Sequence, residues 1–206
     1  MKPRIASLLL LLVSLSVLPA VAQTLYNNGA INGTIDAWNV ADGFVVSDTF
    51  TLGTSSTVTG LSFGAWLFPG DVPNSVEVQI TSAEFGGTTY TDQNVNLTLS
   101  GCSANQLGFN VCTESGSFNT AVNLAAGTYW LNLDNAVNGD GDPLYWDENS
   151  GPSSASENEV GTIPSEAFTL FGSSNTSGTS VPEPSSIMLL GSGILGLAGI
   201  VRRKLF

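Results

Sequence analysis

An all-β domain folded as a two-sheet β-sandwich, jelly-roll-like in topology, is what three features of the sequence predict. Short segments of alternating apolar and polar residues recur through the middle of the chain. Clusters of Gly, Pro and Asn separate them at regular spacing. Between the two apolar ends, no stretch sustains a 3.6-residue apolar period over helix length. Alternation assigns side chains to faces, but it does not fix strand order.

The chain begins with a basic tetrapeptide, Met1-Lys2-Pro3-Arg4, followed by an apolar stretch over 5–17 and then Leu18-Pro19-Ala20-Val21-Ala22. Charge, apolar core and a small-x-small ending at Ala20 and Ala22, in that order, predict a signal peptide over 1–22, cut by signal peptidase before Gln23. The folded ectodomain is expected over 23–171, enough residues for one domain with its own core.

Within it, 23–41 is rich in Asn and Gly, with one short candidate strand near 34–40. The segment 44–52 reads as a strand with Phe44, Val46 and Phe50 in the core. The most apolar candidate is 57–68, where Leu61, Phe63, Ala65 and Leu67 share one parity and Trp66 and Phe68 the other; both of its faces are therefore expected to be covered. Pro69 and Pro73 end it. In 75–82, Val76, Val78 and Ile80 alternate with Glu77, Gln79 and Thr81, the pattern of a sheet with one dry face. Shorter candidates follow at 88–91, 95–99, 118–124 and 128–133; in the last, Tyr129, Leu131 and Leu133 oppose Trp130. The run closes with 144–146 and 167–171.

Charge placement narrows the function. All five basic residues lie at the ends, at Lys2, Arg4, Arg202, Arg203 and Lys204, whereas the region 23–186 holds all 17 acids and no Lys, Arg or His. Such a domain repels a phosphate backbone and has no cationic side chain to hold one, so nucleic acid is excluded as a partner. The missing residue types also remove Ser-His-Asp, Cys-His and Ser-Lys catalysis and any histidine zinc centre. A carboxylate pair acting on a glycoside is the only enzymatic alternative left, and no pair is singled out by its surroundings. The expectation is a non-enzymatic protein.

Cys102 and Cys112 stand ten positions apart, and an exported chain meets an oxidising compartment; a disulfide clipping a short loop between neighbouring strands is expected. In Asn138-Gly139-Asp140-Gly141-Asp142, oxygen-bearing side chains occupy alternate positions, as a calcium loop requires. Pro143 and Asn149 stand where a helix-loop-helix calcium site needs its turn glycine and bidentate glutamate, so that motif is absent. A looser Ca2+ site using Asn138, Asp140, Asp142 and Asp147 or Glu148 is one reading of the loop, and a solvated turn is the other. Trp130, Tyr145 and Trp146 lie near it in sequence, with Trp38 and Trp66 as further aromatics. Exposed rings there would stack on sugar faces, whereas buried ones would fill the core.

A linker, 172–181, follows the last strand and contains no residue able to anchor it in a core. Beyond it, 187–201 is an apolar helix candidate of about 22 Å, short of the roughly 30 Å of bilayer hydrocarbon unless flanking residues extend it. Arg202, Arg203 and Lys204 come next, which predicts that this end stays cytoplasmic and that the segment is held in the inner membrane.

Val181-Pro182-Glu183-Pro184-Ser185, an apolar segment rich in Gly and Leu, and Arg202-Arg203-Lys204 together resemble the PEP-CTERM sorting signal of bacteria, with Pro182, Glu183 and Pro184 as its signature. The resemblance covers about the last 25 residues. It implies an exported substrate of the membrane enzyme exosortase, in a bacterium that makes exopolysaccharide. The ectodomain is more loosely similar to the β-sandwich domains found among PEP-CTERM proteins, through Asp48-Thr49-Phe50 and the segment 124–131. The organisation expected is thus signal peptide 1–22, ectodomain 23–171, linker 172–181 and sorting signal 182–206. Its role is expected to be structural or adhesive, in the cell envelope or the exopolysaccharide matrix. A carbohydrate-binding module, assisted by calcium, is the alternative.

Overall fold

A computed structural model describes residues 22–175 and, in the C-terminal segment, Gly193. The signal peptide, the cleavage-motif residue Ala20, the motif Pro182-Glu183-Pro184, the apolar segment 187–201 and the basic tail lie outside the described residues. Among the described residues no helix is long and apolar enough to cross a membrane.

The domain is built of strands alone: β1 (Gln23–Asn27), β2 (Ala37–Asn39), β3 (Val46–Leu52), β4 (Ser56–Leu67), β5 (Pro73–Ala83), β6 (Gly86–Asn96), β7 (Thr98–Ala104), β8 (Asn110–Leu124), β9 (Gly127–Asn138), β10 (Tyr145–Asn149), β11 (Ala155–Glu157), β12 (Gly161–Ile163), β13 (Ser165–Glu166) and β14 (Phe168–Ser174). They form two antiparallel sheets. In one, the order is β12-β11-β3-β9-β5-β6. The other is centred on β4, whose whole length pairs with β8, and β7 follows outside. On its opposite edge β4 pairs first with β14 and then, at Ala65 and Trp66, with β10. β1 flanks β14, while β2 and β13 flank β10.

Alternation places the core between the sheets. Val46, Phe50 and Leu52 of β3, Val76, Val78 and Ile80 of β5, and Tyr129, Leu131 and Leu133 of β9 meet Leu61, Phe63, Ala65 and Leu67 of β4 and Leu170 of β14. Trp66, of opposite parity, is buried as well, so both faces of β4 are covered as its sequence predicts.

Three expectations need correction, and one region carried none. Phe44 is not in the core: a turn closed by Phe44 N–H to Ala41 O (3.0 Å) precedes β3 and leaves the ring 37% exposed. The separate strand expected at 88–91 is part of one long β6, because its polar residues pair with β5 along most of its length. The short strands β11, β12 and β13, between 155 and 166, carry no alternation long enough to announce them. The linker also begins later than expected. Gly172, Ser173 and Ser174 pair with Val58, Thr57 and Ser56, because backbone ladder bonds need no apolar side chain. The first residues of the anticipated linker are therefore the end of β14.

The disulfide between Cys102 and Cys112 is formed, with Cα atoms 4.1 Å apart. It crosses from β7 to β8 at the irregularity in their register between Ser100 and Ser103, where ladder pairing is interrupted.

Candidate functional site: an acidic turn beside an aromatic cluster

Asp140 and Asp142 are joined by a residue that the sequence did not point to, Asp71. One carboxylate oxygen from each lies within 4.8 Å of the others. Asp71 is held by the turn after β4: its N–H donates to Phe68 O (3.1 Å), and its Oδ2 accepts from the Phe68 N–H (3.1 Å). Asp140 and Asp142 belong to the turn after β9, where Gly141 N–H reaches Asn138 O (3.2 Å) and Asp142 N–H reaches Asp140 Oδ1 (3.2 Å). Gly70 (φ 110°) and Gly141 (φ 88°) take the left-handed conformations these turns need. Pairing of Pro73 with Asn138 brings the two turns together.

Asn138 donates from Nδ2 to Asp71 Oδ2 (2.7 Å), so its amide braces the group. Burial raises the Asp71 pKa, and the adjacent Asp140 carboxyl raises it further; the Asn138 and Phe68 hydrogen bonds pull the other way. Three acids so close, with no basic side chain in the domain, favour a bound cation or a shared proton.

Asp147 does not join them. It is fully buried elsewhere and accepts hydrogen bonds from Trp66 Nε1 (2.5 Å) and from the N–H groups of Asn32 (2.8 Å) and Gly33 (2.9 Å). Those bonds tie the loop after β1 to the outer face of β4 and β10. Glu148 is buried too, accepting from Trp38 Nε1 (2.9 Å).

The aromatic trio is separated. Trp146 is fully buried, packs edge-on against Phe63 and Phe168, and donates from Nε1 to Ala167 O (3.0 Å); it cannot touch a ligand, because its strand parity turns it inward. Trp130 is half-buried on the outer face of the other sheet. Tyr145 alone lies by the acidic turn, and it belongs to a cluster that sequence reasoning missed. Phe68 and Phe109 have centroids 5.0 Å apart, and each meets the Tyr145 ring edge-on, at 6.5 and 5.8 Å. All three rings are half-buried. Burial raises the Tyr145 pKa, and the carboxylates of Asp142 and Asp42 add to the shift. Phe68 is thus at once the anchor of the Asp71 turn and a wall of the aromatic cluster.

A groove of about 640 Å³ lies on the same sheet, between the loop at Ile31 to Thr34 and the disulfide-closed hairpin at Ser103 to Leu107. No carboxylate and no aromatic ring lines it.

Residues 180–204 match the PEP-CTERM protein-sorting motif. The chain carries an exosortase sorting signal. The match includes Pro182, Glu183, Pro184, Arg202, Arg203 and Lys204, the residues on which the sequence resemblance rests. No curated protein matches the chain. The motif supports export and sorting to the cell surface; it says nothing about what the sandwich binds.

Proposed function

We propose that this PEP-CTERM protein is a non-enzymatic surface component with a structural or adhesive role in the cell envelope or exopolysaccharide matrix. Signal peptidase releases it at Gln23, the segment 187–201 holds the precursor in the inner membrane, and exosortase processes it near Pro182 to Ser185. The observation that carries this reading is the sorting motif at 180–204 on an ectodomain without a single basic side chain. Fractionation and intact mass of the native protein test it. Loss of residues 1–22 and cleavage or modification near Pro182 to Ser185 are expected; a soluble product that retains Arg202 to Lys204 would refute it.

The rings of Phe68, Phe109 and Tyr145 beside Asp71, Asp140 and Asp142 favour a second reading, a carbohydrate-binding surface assisted by a calcium ion on the three carboxylates. A glycan array run with calcium and with chelator separates the two readings. Calcium-dependent retention of one polysaccharide, lost in Tyr145→Ala, supports a binding module; no retention under either condition leaves the structural role.

A further inference from the structure

The sequence contains three Asn-Gly pairs: Asn28-Gly29, Asn32-Gly33 and Asn138-Gly139. Such a pair can close on itself, the glycine backbone nitrogen attacking the side-chain carbonyl of the asparagine. With no Cβ on the glycine, nothing shields that approach. What the fold does with the nitrogen and with the carboxamide decides the outcome, and the three pairs differ.

At the first two, both groups are engaged elsewhere. Gly29 N–H donates to Asn27 Oδ1 (2.8 Å), and the fully buried Asn28 accepts at Oδ1 from the Tyr26 hydroxyl (2.7 Å). Gly33 N–H donates to Asp147 Oδ1 (2.9 Å). The Asn32 carboxamide is drawn away from it, since Oδ1 accepts from the Thr34 N–H (2.8 Å) and Nδ2 donates to Glu148 O (2.6 Å).

Asn138-Gly139 is arranged the other way. Gly139 N–H donates to Oδ1 of Asn138 itself (3.1 Å), which holds the nitrogen beside the carbonyl group it would attack. The nitrogen that would leave, Asn138 Nδ2, lies 2.7 Å from Asp71 Oδ2. Burial and the adjacent Asp140 raise the Asp71 pKa, which suits this carboxyl group to give a departing amine its proton. Asn138 is the last residue of β9, and Gly139 and Asp140 after it are exposed, so water reaches the ring once it has formed.

We propose that Asn138 is a self-modification site, deamidated in the folded domain to an aspartyl or isoaspartyl residue. The Gly139 nitrogen bonds to Asn138 Cγ and gives up its proton to water. The bond from Cγ to Nδ2 breaks, and ammonia departs with a proton from Asp71, which water restores. A water molecule then adds to either carbonyl of the succinimide and the ring C–N bond at that carbonyl breaks; nothing is oxidised or reduced. The product replaces the amide donor facing Asp71 Oδ2 by a fourth carboxylate beside Asp71, Asp140 and Asp142. The brace between the turn after β4 and the turn after β9 is thereby lost, at a rate set by the fold and without regard to what the sandwich binds.

The test ages the full chain, in detergent at neutral pH, and maps its peptides by tandem mass spectrometry, with isoaspartate read by enzymatic methylation. The peptide holding Asn138 is expected to gain the mass that exchanges NH2 for OH while Asn28 and Asn32 stay intact; in urea all three should convert, because the selection lies in the fold. A Cβ on Gly139 would meet only Val72 O, at 3.9 Å, so Gly139→Ala should melt like its parent. By crowding ring closure it is expected to slow conversion about tenfold. Asn138→Asp should reproduce the lower melting temperature of the aged chain. The proposal is overturned if Asn138 stays intact over the time in which the urea-unfolded chain converts, if Asn28 or Asn32 converts before it in the folded chain, or if Gly139→Ala converts at the parent's rate.

Discussion

Glu114 should make the domain less stable in mild alkali. It sits in β8 opposite Phe63, on the inward-facing parity of Cys112, completely buried and with neither carboxylate oxygen hydrogen-bonded. Burial alone raises its pKa from the ordinary 4.5 to about 7. A folded-state pKa above the unfolded one means that the stabilising contribution is fully present below 4.5 and disappears as pH rises through 7. At 1.36 kcal/mol per pH unit, the loss by pH 8.5 is at most about 3 kcal/mol, and about 2 kcal/mol once partial solvent screening is allowed. Glu114→Gln keeps the shape of the protonated acid and cannot ionise. Urea melts of parent and variant at pH 5 and 8.5 isolate the effect, since every other titrating group is common to both. At pH 5, half a unit above the unfolded value, the two should agree to within about 1 kcal/mol. At pH 8.5 the variant should be about 2 kcal/mol the more stable, or about 4–8 °C in melting temperature for a domain of this size. A difference that does not change with pH, or a variant less stable at pH 8.5, would refute the reasoning.

Reduction of the Cys102–Cys112 bridge, or its removal in the double variant Cys102→Ala/Cys112→Ala, should lower stability by about 2–3 kcal/mol without loss of the fold, read by thermal melts with and without reductant. Trp146→Ala should destabilise the domain by about 3–5 kcal/mol, whereas Tyr145→Ala, at a half-buried position, should cost less than half of that in the same denaturant titration. A Cβ on Gly172 would fall on the Thr57 carbonyl oxygen, so Gly172→Ala should loosen β14 from β4; faster amide exchange along β14 is the expected readout. Replacing Pro182, Glu183 and Pro184 together by Ala should trap the precursor in the membrane fraction, which fractionation detects.

What could be read from the residues was whatever depends on neighbours along one strand. Val76, Val78 and Ile80, or Tyr129, Leu131 and Leu133, declare a dry face because the period of two is local, and all six are buried. The sorting signal is equally local: charge, apolar run and a Pro-Glu-Pro signature in fixed order. Asp71 was not legible, since only the pairing of β5 with β9 carries its turn to Asp140 and Asp142. The same reason hid the cluster of Phe68, Phe109 and Tyr145, contributed by three separate parts of the chain. Trp146 fills the core, the second of its two readings; nearness in sequence to an acidic loop does not decide which side of a strand a ring takes. The pattern does carry one such signal: Val46, Asp48 and Phe50 share a parity, which puts a carboxylate on a core face. The polar β6 and the very short β11 to β13 are held by ladder bonds, which leave no mark on hydropathy.

The two ends of the sandwich's chain leave at one pole. Gln23 pairs with Gly172 and donates from Nε2 to Ser174 Oγ (3.3 Å), beside the start of β4 at Ser56. Because β4 runs antiparallel to β14, the Asp71 turn lies at the far end of a twelve-residue strand, roughly 36 Å away at 3.3 Å per residue. Tension arriving through Asn175 would be borne along β14, clamped between β1 and β4, so its pairs would have to slide together rather than open one by one. A pull at that corner therefore loads the whole β14 ladder at once, at the end of β4 opposite the Asp71 turn.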